Sequence, residues 1–308
     1  INDGNGIDVA KHPEYDLWIP EMIFGHLRTS TNYDKSEKKI VGGKNGFGFK
    51  LVLIYSKWGT IETVDHVRKK KYTQRFENNL EKIQPPVIKR STVKPYTKVS
   101  WLPDYKRFGI EKLTSTMFKL FKKRTYDIAA VTDKQVVVKF NGNTLPIRTF
   151  EQYINMYIGK KEQTKRLFET SPNGRWEYAV CLSPVDEFTH ISFVNGISTT
   201  RGGKHVDYVL KQITRKMQTY IEKKKKIKVK ENTIKEQLML FLNCVVENPS
   251  FDSQSKESMN TPVSKFGSKC EVSDKFIDKL AKMGVMEAAI SLNEIKDTKA
   301  AKKMMVKK

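Results

Sequence analysis

The sequence predicts an α+β chain of two domains. Three observations carry this: its length and apolar content, the interleaving of helical with period-two patterning, and a break in that pattern near Leu145 to Phe150. With 308 residues, 38% of them hydrophobic and 10% aromatic, the chain is long enough for two cores and too apolar to stay disordered. The first half reads as helices layered on a mixed or antiparallel sheet, the second as strands followed by helices. The expected domains are residues 1–148 and 149–308.

Asp16 to Leu27 sets Leu17, Ile19, Met22, Ile23 and Leu27 at helical spacing, with Pro20 near the start, so a short helix is expected there. The polar stretch from Arg28 to Lys39 reads as a loop, and Phe47 to Tyr55 resumes as a helix. Thr60 to Val64 and Lys98 to Trp101 alternate and are separated by Pro85-Pro86 and Pro95, which predicts antiparallel strands with turns between them. Leu113 to Ala130 is helical in pattern, and Gln135 to Phe140 runs into Asn141-Gly142-Asn143, a hairpin signal. Phe150 to Ile158 is expected to open the second domain as a helix. Strands follow over Trp176 to Leu182 and His190 to Val194, then helices over His205 to Lys225 and Thr233 to Val246.

Between these elements lies an unusual loop, Gly42-Gly43-Lys44-Asn45-Gly46-Phe47-Gly48, running into Lys50. Glycines let backbone N–H groups approach an anion with no Cβ in the way, and the following helix start adds its dipole. The loop lacks the Gly-Lys-Ser/Thr ending of a P-loop. Asn2-Asp3-Gly4-Asn5-Gly6, some forty residues upstream, and Ser30-Thr31-Asn32 between them complete a candidate nucleotide pocket; each alone would be an ordinary turn or cap.

A net charge of +23 and a pI near 9.7 point to a polyanionic partner, the alternative being a solvated lysine-rich surface. Its densest run is Lys223-Lys224-Lys225-Lys226 with Lys228 and Lys230. Cys181, Cys244 and Cys270 are odd in number, with no Cys-x-x-Cys and no histidine at zinc spacing, which argues for a reducing compartment and against a metal site. His12, His26, His66, His190 and His205 do not cluster with carboxylates, and Trp58, Trp101 and Trp176 are expected in the cores. The longest apolar run, Leu238 to Val246, is broken by Asn243 and falls far short of the roughly 18 residues of a membrane span. A soluble, intracellular protein without a signal peptide is expected; lacking an initiator Met, the chain reads as a fragment.

The order of several blocks resembles the type IIA DNA topoisomerases, in the eukaryotic and large-DNA-virus branch. They are Asn2-Asp3-Gly4-Asn5-Gly6-Ile7, Pro20 to Gly25, Thr29 to Asp34, Gly42 to Gly48, Ser192-Phe193-Val194-Asn195-Gly196-Ile197, Gly202-Gly203-Lys204-His205-Val206-Asp207-Tyr208, and Asn248-Pro249 running to Phe251-Asp252-Ser253-Gln254-Ser255-Lys256-Glu257. The resemblance implies a GHKL (Bergerat-type) ATPase domain, truncated at its N-terminus, joined to a ribosomal-S5-like transducer. It implies ATP binding by Asn2, Ser30, Thr31, Asn32, Gly43, Lys44, Asn45, Gly46, Phe47, Gly48, Phe49 and Lys50, together with Gln254, Ser255 and Lys256. Asn2 would read the adenine edge, since an amide both donates and accepts.

Gln254, Ser255 and Lys256 match the family's Gln-Thr-Lys loop, with serine in the middle. Lys256 and Gln254 would sense and stabilise the γ-phosphate. Lys223, Lys224 and Lys225 would contact the phosphates of double-stranded DNA without reading sequence. The family further implies Mg²⁺ bound from upstream of Ile1, a general-base Glu also upstream, a DNA-cleaving Tyr downstream, a homodimer, and a nuclear, host-cell or virion location. By this reading the parent is an ATP-hydrolysing topoisomerase and the piece alone is inactive. The competing readings are a non-catalytic DNA-binding or regulatory module that kept the fold, and another GHKL ATPase.

Overall fold

The computed structural model describes residues 1–27, 29, 37–43 and 46–306. They form two compact units, 1–37 with 43–118, and 38–42 with 119–308. Compactness thus divides the chain inside a helix near Phe118 and gives the short 38–42 segment to the second unit, whereas the sequence reading divides it at 148/149. None of the described helices is long and apolar enough to cross a membrane.

The first unit is an antiparallel sheet carrying two short helices. Helix α1 (Ile19–Gly25) begins three residues later than its apolar spacing suggests, with Pro20 in its first turn. Trp18 is held extended by a bridge to Lys11, and proline, which has no N–H to lose, fits the first turn that follows. Helix α2 (Gly48–Ile54) leads into β1 (Ser56–Val64), β2 (Lys70–Glu77), β3 (Lys82–Ile83), β4 (Val87–Arg90) and β5 (Tyr96–Pro103). The sheet order is β3-β2-β1-β5, with β4 also paired to β2. Ile61 lies opposite Gln74 on one side and Val99 on the other. Phe24, Leu53, Ile61 and Phe76 form the core, with Ile7, Ile23 and Phe49 packed against it.

In the second unit one sheet lies between two layers of helices. Helix α3 (Ser115–Val131), the hairpin of β6 (Lys139–Phe140) and β7 (Asn143–Thr144), and α4 (Phe150–Ile158) come first. The hairpin turn Asn141-Gly142 has positive φ at both residues, 49° and 78°, the type I′ geometry that matches strand twist. Strands β8 (Leu167–Thr170), β9 (Trp176–Leu182), β10 (Thr189–Val194) and β11 (Ile197–Ser198) precede α5 (Lys204–Lys225), α6 (Glu231–Lys235), β12 (Leu238–Cys244), α7 (Asp274–Leu280) and α8 (Met286–Val306). The order is β11-β10-β12-β9-β8, with β12 parallel to β10 and antiparallel to β9.

The helix expected over Thr233 to Val246 is not formed; α6 ends at Lys235 and the rest is the central strand β12. Leu238, Leu240, Leu242 and Cys244 face the core shared with α5 and α7, while Met239 and Phe241 face the one shared with α3 and α4. A strand covered on both faces is apolar at every position and loses the alternation that would mark it. The tryptophan expectation divides: Trp176 is fully buried, Trp58 is half-buried under the Arg75 guanidinium, and Trp101 is 47% exposed. Trp101 lies on β5, which pairs on one side with β1 and on the other, among the described residues, only with Asn2 through a single bridge.

Candidate functional site

In the first unit the opening motif is fastened to the sheet. Asn2 and Thr97 exchange backbone hydrogen bonds of 2.8 Å each way, and the Asn2 side-chain oxygen accepts from Gly4 N at 2.9 Å. Gly6 has φ +77°, and a Cβ there would sit 1.9 Å from Val64 O, so only glycine permits the approach. Further along, Ile7 N donates to Thr63 Oγ1 and Val9 N to Asp65 Oδ2, each at 2.9 Å. Burial opposes ionisation of Asp65, but N–H donors from Arg68, Val9 and Val67 and the Arg68 guanidinium outweigh it and hold the carboxyl well below the usual range.

The glycine loop enters α2 with Gly46 at φ +65° and Phe47 as its N-cap. A Cβ added at Gly48 would meet nothing within 4 Å. Phe49 packs edge-on against Phe24, ring centres 4.9 Å apart. Lys50 is buried, and its amine donates to Thr29 Oγ1 at 2.9 Å. Thr29 in turn donates to Met22 O at 2.9 Å. Burial lowers the Lys50 amine from the usual lysine range. Thr29 therefore ties the end of α1 to α2; its place immediately after an apolar helical run was the available sequence signal. Ser30, Thr31, Asn32, Lys44 and Asn45 lie outside the described residues.

The second unit holds the Gln254-Ser255-Lys256 loop. Lys256 adopts φ +60°, its N–H donates to Ser253 O at 3.2 Å, and its amine donates to Gly42 O at 2.8 Å. Burial lowers this amine from the usual range. Gln254 and Ser255 are exposed. The segment 38–42 is joined to the same body, since Asn248 N donates to Lys39 O at 2.8 Å and Lys39 N to Asn248 Oδ1 at 3.0 Å. A Cβ on Gly42 would fall 2.1 Å from Ile197 Cδ1, so the segment lies close against β11.

What holds the loop is the glycine pair before α5. Met259 N donates to Gly202 O at 3.1 Å, Lys204 N to Met259 O at 2.9 Å, and Arg201 N to Glu257 O at 2.9 Å. Gly203 has φ +128°, and a Cβ would lie 2.2 Å from Met259 O. Gly202-Gly203 thus works as a backbone latch for the loop, a role not read from the sequence although two glycines before a helix signalled a close approach. Behind the latch, His205 is fully buried with Nε2 3.0 Å from Thr199 Oγ1, which is 2.7 Å from Ser192 Oγ. Burial, with His190 adding, pushes the His205 imidazole down to about 3.

Lys223, Lys224 and Lys225 are exposed in the last turn of α5, where the helix dipole favours cations, and Lys226 ends the helix at φ +60°. Beside them Arg215, Lys216, Tyr220 and Lys223 line a groove of about 300 Å³. Among the described residues no three of His, Cys, Asp and Glu stand close enough to hold a metal ion.

Comparison with known proteins matches residues 149–307 to the family described as DNA gyrase B. The DNA topoisomerase 2 of Acanthamoeba polyphaga mimivirus is 44% identical over 94% of this chain and 23% of its own length. The ATPase region of Saccharomyces cerevisiae topoisomerase II superposes with a TM-score of 0.88 at 40% identity, over 95% of this chain and 75% of that one. The ATPase and transducer domains of DNA topoisomerase II from Balamuthia mandrillaris give 0.89 at 37%, over 96% and 76%. The chain spans under a quarter of the length of the curated relatives it matches.

Proposed function

The chain belongs to the DNA gyrase B family, in its topoisomerase II branch, and from that premise we propose that it forms the ATP gate of a type IIA DNA topoisomerase. The gate couples ATP binding and hydrolysis to passage of one duplex through a transient break in another. The observation that carries this is the latch of Gly202-Gly203 on Met259, which presents Gln254 and Lys256 on a loop fixed at its base. ATP is bound through Asn2, Ser30, Thr31, Asn32 and the stretch Gly43, Lys44, Asn45, Gly46, Phe47, Gly48, Phe49 and Lys50. The glycine-rich entry into α2, with Gly46 at φ +65° and Phe47 as N-cap, supports this assignment. Mg²⁺ accompanies the nucleotide, and no described residue of this chain is assigned to it.

Gln254 and Lys256 act on the γ-phosphate. The Lys256 amine is already partly desolvated with one neutral partner, Gly42 O, so an arriving phosphate gains a cation whose hydration is already reduced. Departure of that phosphate returns the amine to a neutral partner, which is how hydrolysis is communicated to the second unit. Lys223, Lys224 and Lys225 contact duplex DNA, the intact protein is a homodimer, and it works inside the cell, in the nucleus or in a virus-infected host. The family match beginning at residue 149 supports a functional boundary at 148/149. Similarity to the mimivirus relative over 94% of this chain does not favour a non-catalytic module. In the intact protein, Lys256→Ala is expected to abolish ATP-dependent strand passage; normal turnover and passage would defeat the proposal.

A further inference from the structure

Away from these loops, a second groove of about 330 Å³ opens at the start of the edge strand β8. Five of its seven lining residues are cations, Lys161, Lys165, Arg166, Lys279 and Lys282, and none is acidic. Lys282 is paired with Asp278 at 2.7 Å. Arg166 is the informative member, because only 3% of it is exposed. Its guanidinium donates to Gly159 O at 2.7 Å and to Asn155 Oδ1, both neutral, and its Nε has no hydrogen-bond partner among the described residues. A buried guanidinium ordinarily lies against a carboxylate or another anion, since desolvating it without one is costly. The opposite wall is the kink Ala281–Val285 between α7 and α8, where Gly284 takes φ +111° and Met283 reaches the groove.

We infer that this groove is an anion site for a phosphate-bearing ligand, with Arg166 as its fixed base and Lys161, Lys165 and Lys279 as its mobile rim. A planar guanidinium with incomplete hydrogen bonding supplies a fixed positive charge at the base, and the exposed lysines add point charges around it. The same chemistry is offered by a free polyphosphate and by the backbone of a duplex. The site shares no residue with the loops assigned to ATP or with Lys223 to Lys225, so it stands or falls independently of them.

The test is titration of the 308-residue chain with inorganic tripolyphosphate and, separately, with a short blunt-ended duplex. Wild type is compared with Lys165→Ala/Lys279→Ala, two exposed positions with no ion pair among the described residues. Affinity for at least one of the two probes is expected to fall roughly tenfold, the loss of two charge-assisted contacts; the probe affected identifies the source of the phosphate. Unchanged affinity for both overturns the inference. Arg166→Met supplies the second arm. Its urea midpoint without phosphate is expected to equal or exceed that of wild type, while the increment tripolyphosphate gives wild type disappears. An equal drop in midpoint with and without tripolyphosphate means that Arg166 is only structural and also overturns it.

Discussion

Single residues set the pH response and the precision of the latch. His205 is buried neutral, with its imidazole pushed from 6.5 to about 3. Below pH 6.5 the unfolded chain takes up this proton and the folded chain does not, so stability is full above 6.5 and falls as the pH drops toward 3. Asp65 adds to the loss below its ordinary 3.8, because its folded carboxyl is also depressed, so its stabilisation is lost only as pH falls. Urea midpoints measured from pH 7 to pH 4 should therefore decline, and His205→Gln should flatten that decline; an unchanged slope would count against the neutral buried imidazole. Gly203→Ala forces a side chain onto Met259 O at φ +128°. It should cost about 1–3 kcal/mol in a denaturation experiment, more than Gly48→Ala, whose Cβ meets nothing within 4 Å.

At the scale of elements, the central strand β12 does most to hold the second unit together. Phe241 is fully buried between α4 and the sheet, 5.9 Å from the Tyr157 ring, and Phe241→Ala should cost about 3–5 kcal/mol of unfolding free energy. A loss below 1 kcal/mol would contradict its central place. The same strand marks where the sequence stopped being legible. Elements with one wet face, such as α4 and α5, kept their periodicity and appear within a residue of their expected bounds. β12, dry on both faces, showed only an apolar run that reads equally as helix. The glycine loop and the Gln254 to Lys256 loop stood out in the sequence as blocks of residue types suited to phosphate chemistry. The latch did not, since Gly203 is required by Met259, 56 residues away, and no local pattern records such a contact.

For the molecule as a whole, the proposed gate rests on charge and fold together. If a chain of net charge +23 meets DNA as proposed, the contact runs through phosphates, so binding should be sequence-tolerant and steeply salt-dependent. Replacing Lys223, Lys224 and Lys225 by Ala should reduce the slope of log affinity against log salt by about 2.7, three contacts at ~0.9 each; an unchanged slope would remove these lysines from the interface. The proposed nucleotide response runs through Lys256, whose amine rests on the neutral carbonyl of Gly42. The most direct measurement is the ratio of affinities for a non-hydrolysable ATP analogue and for ADP in the intact protein, with and without Lys256→Ala. A preference for the triphosphate of about tenfold or more that disappears in the variant is the expected result; the same preference in both proteins would contradict the assignment of Lys256 to the γ-phosphate.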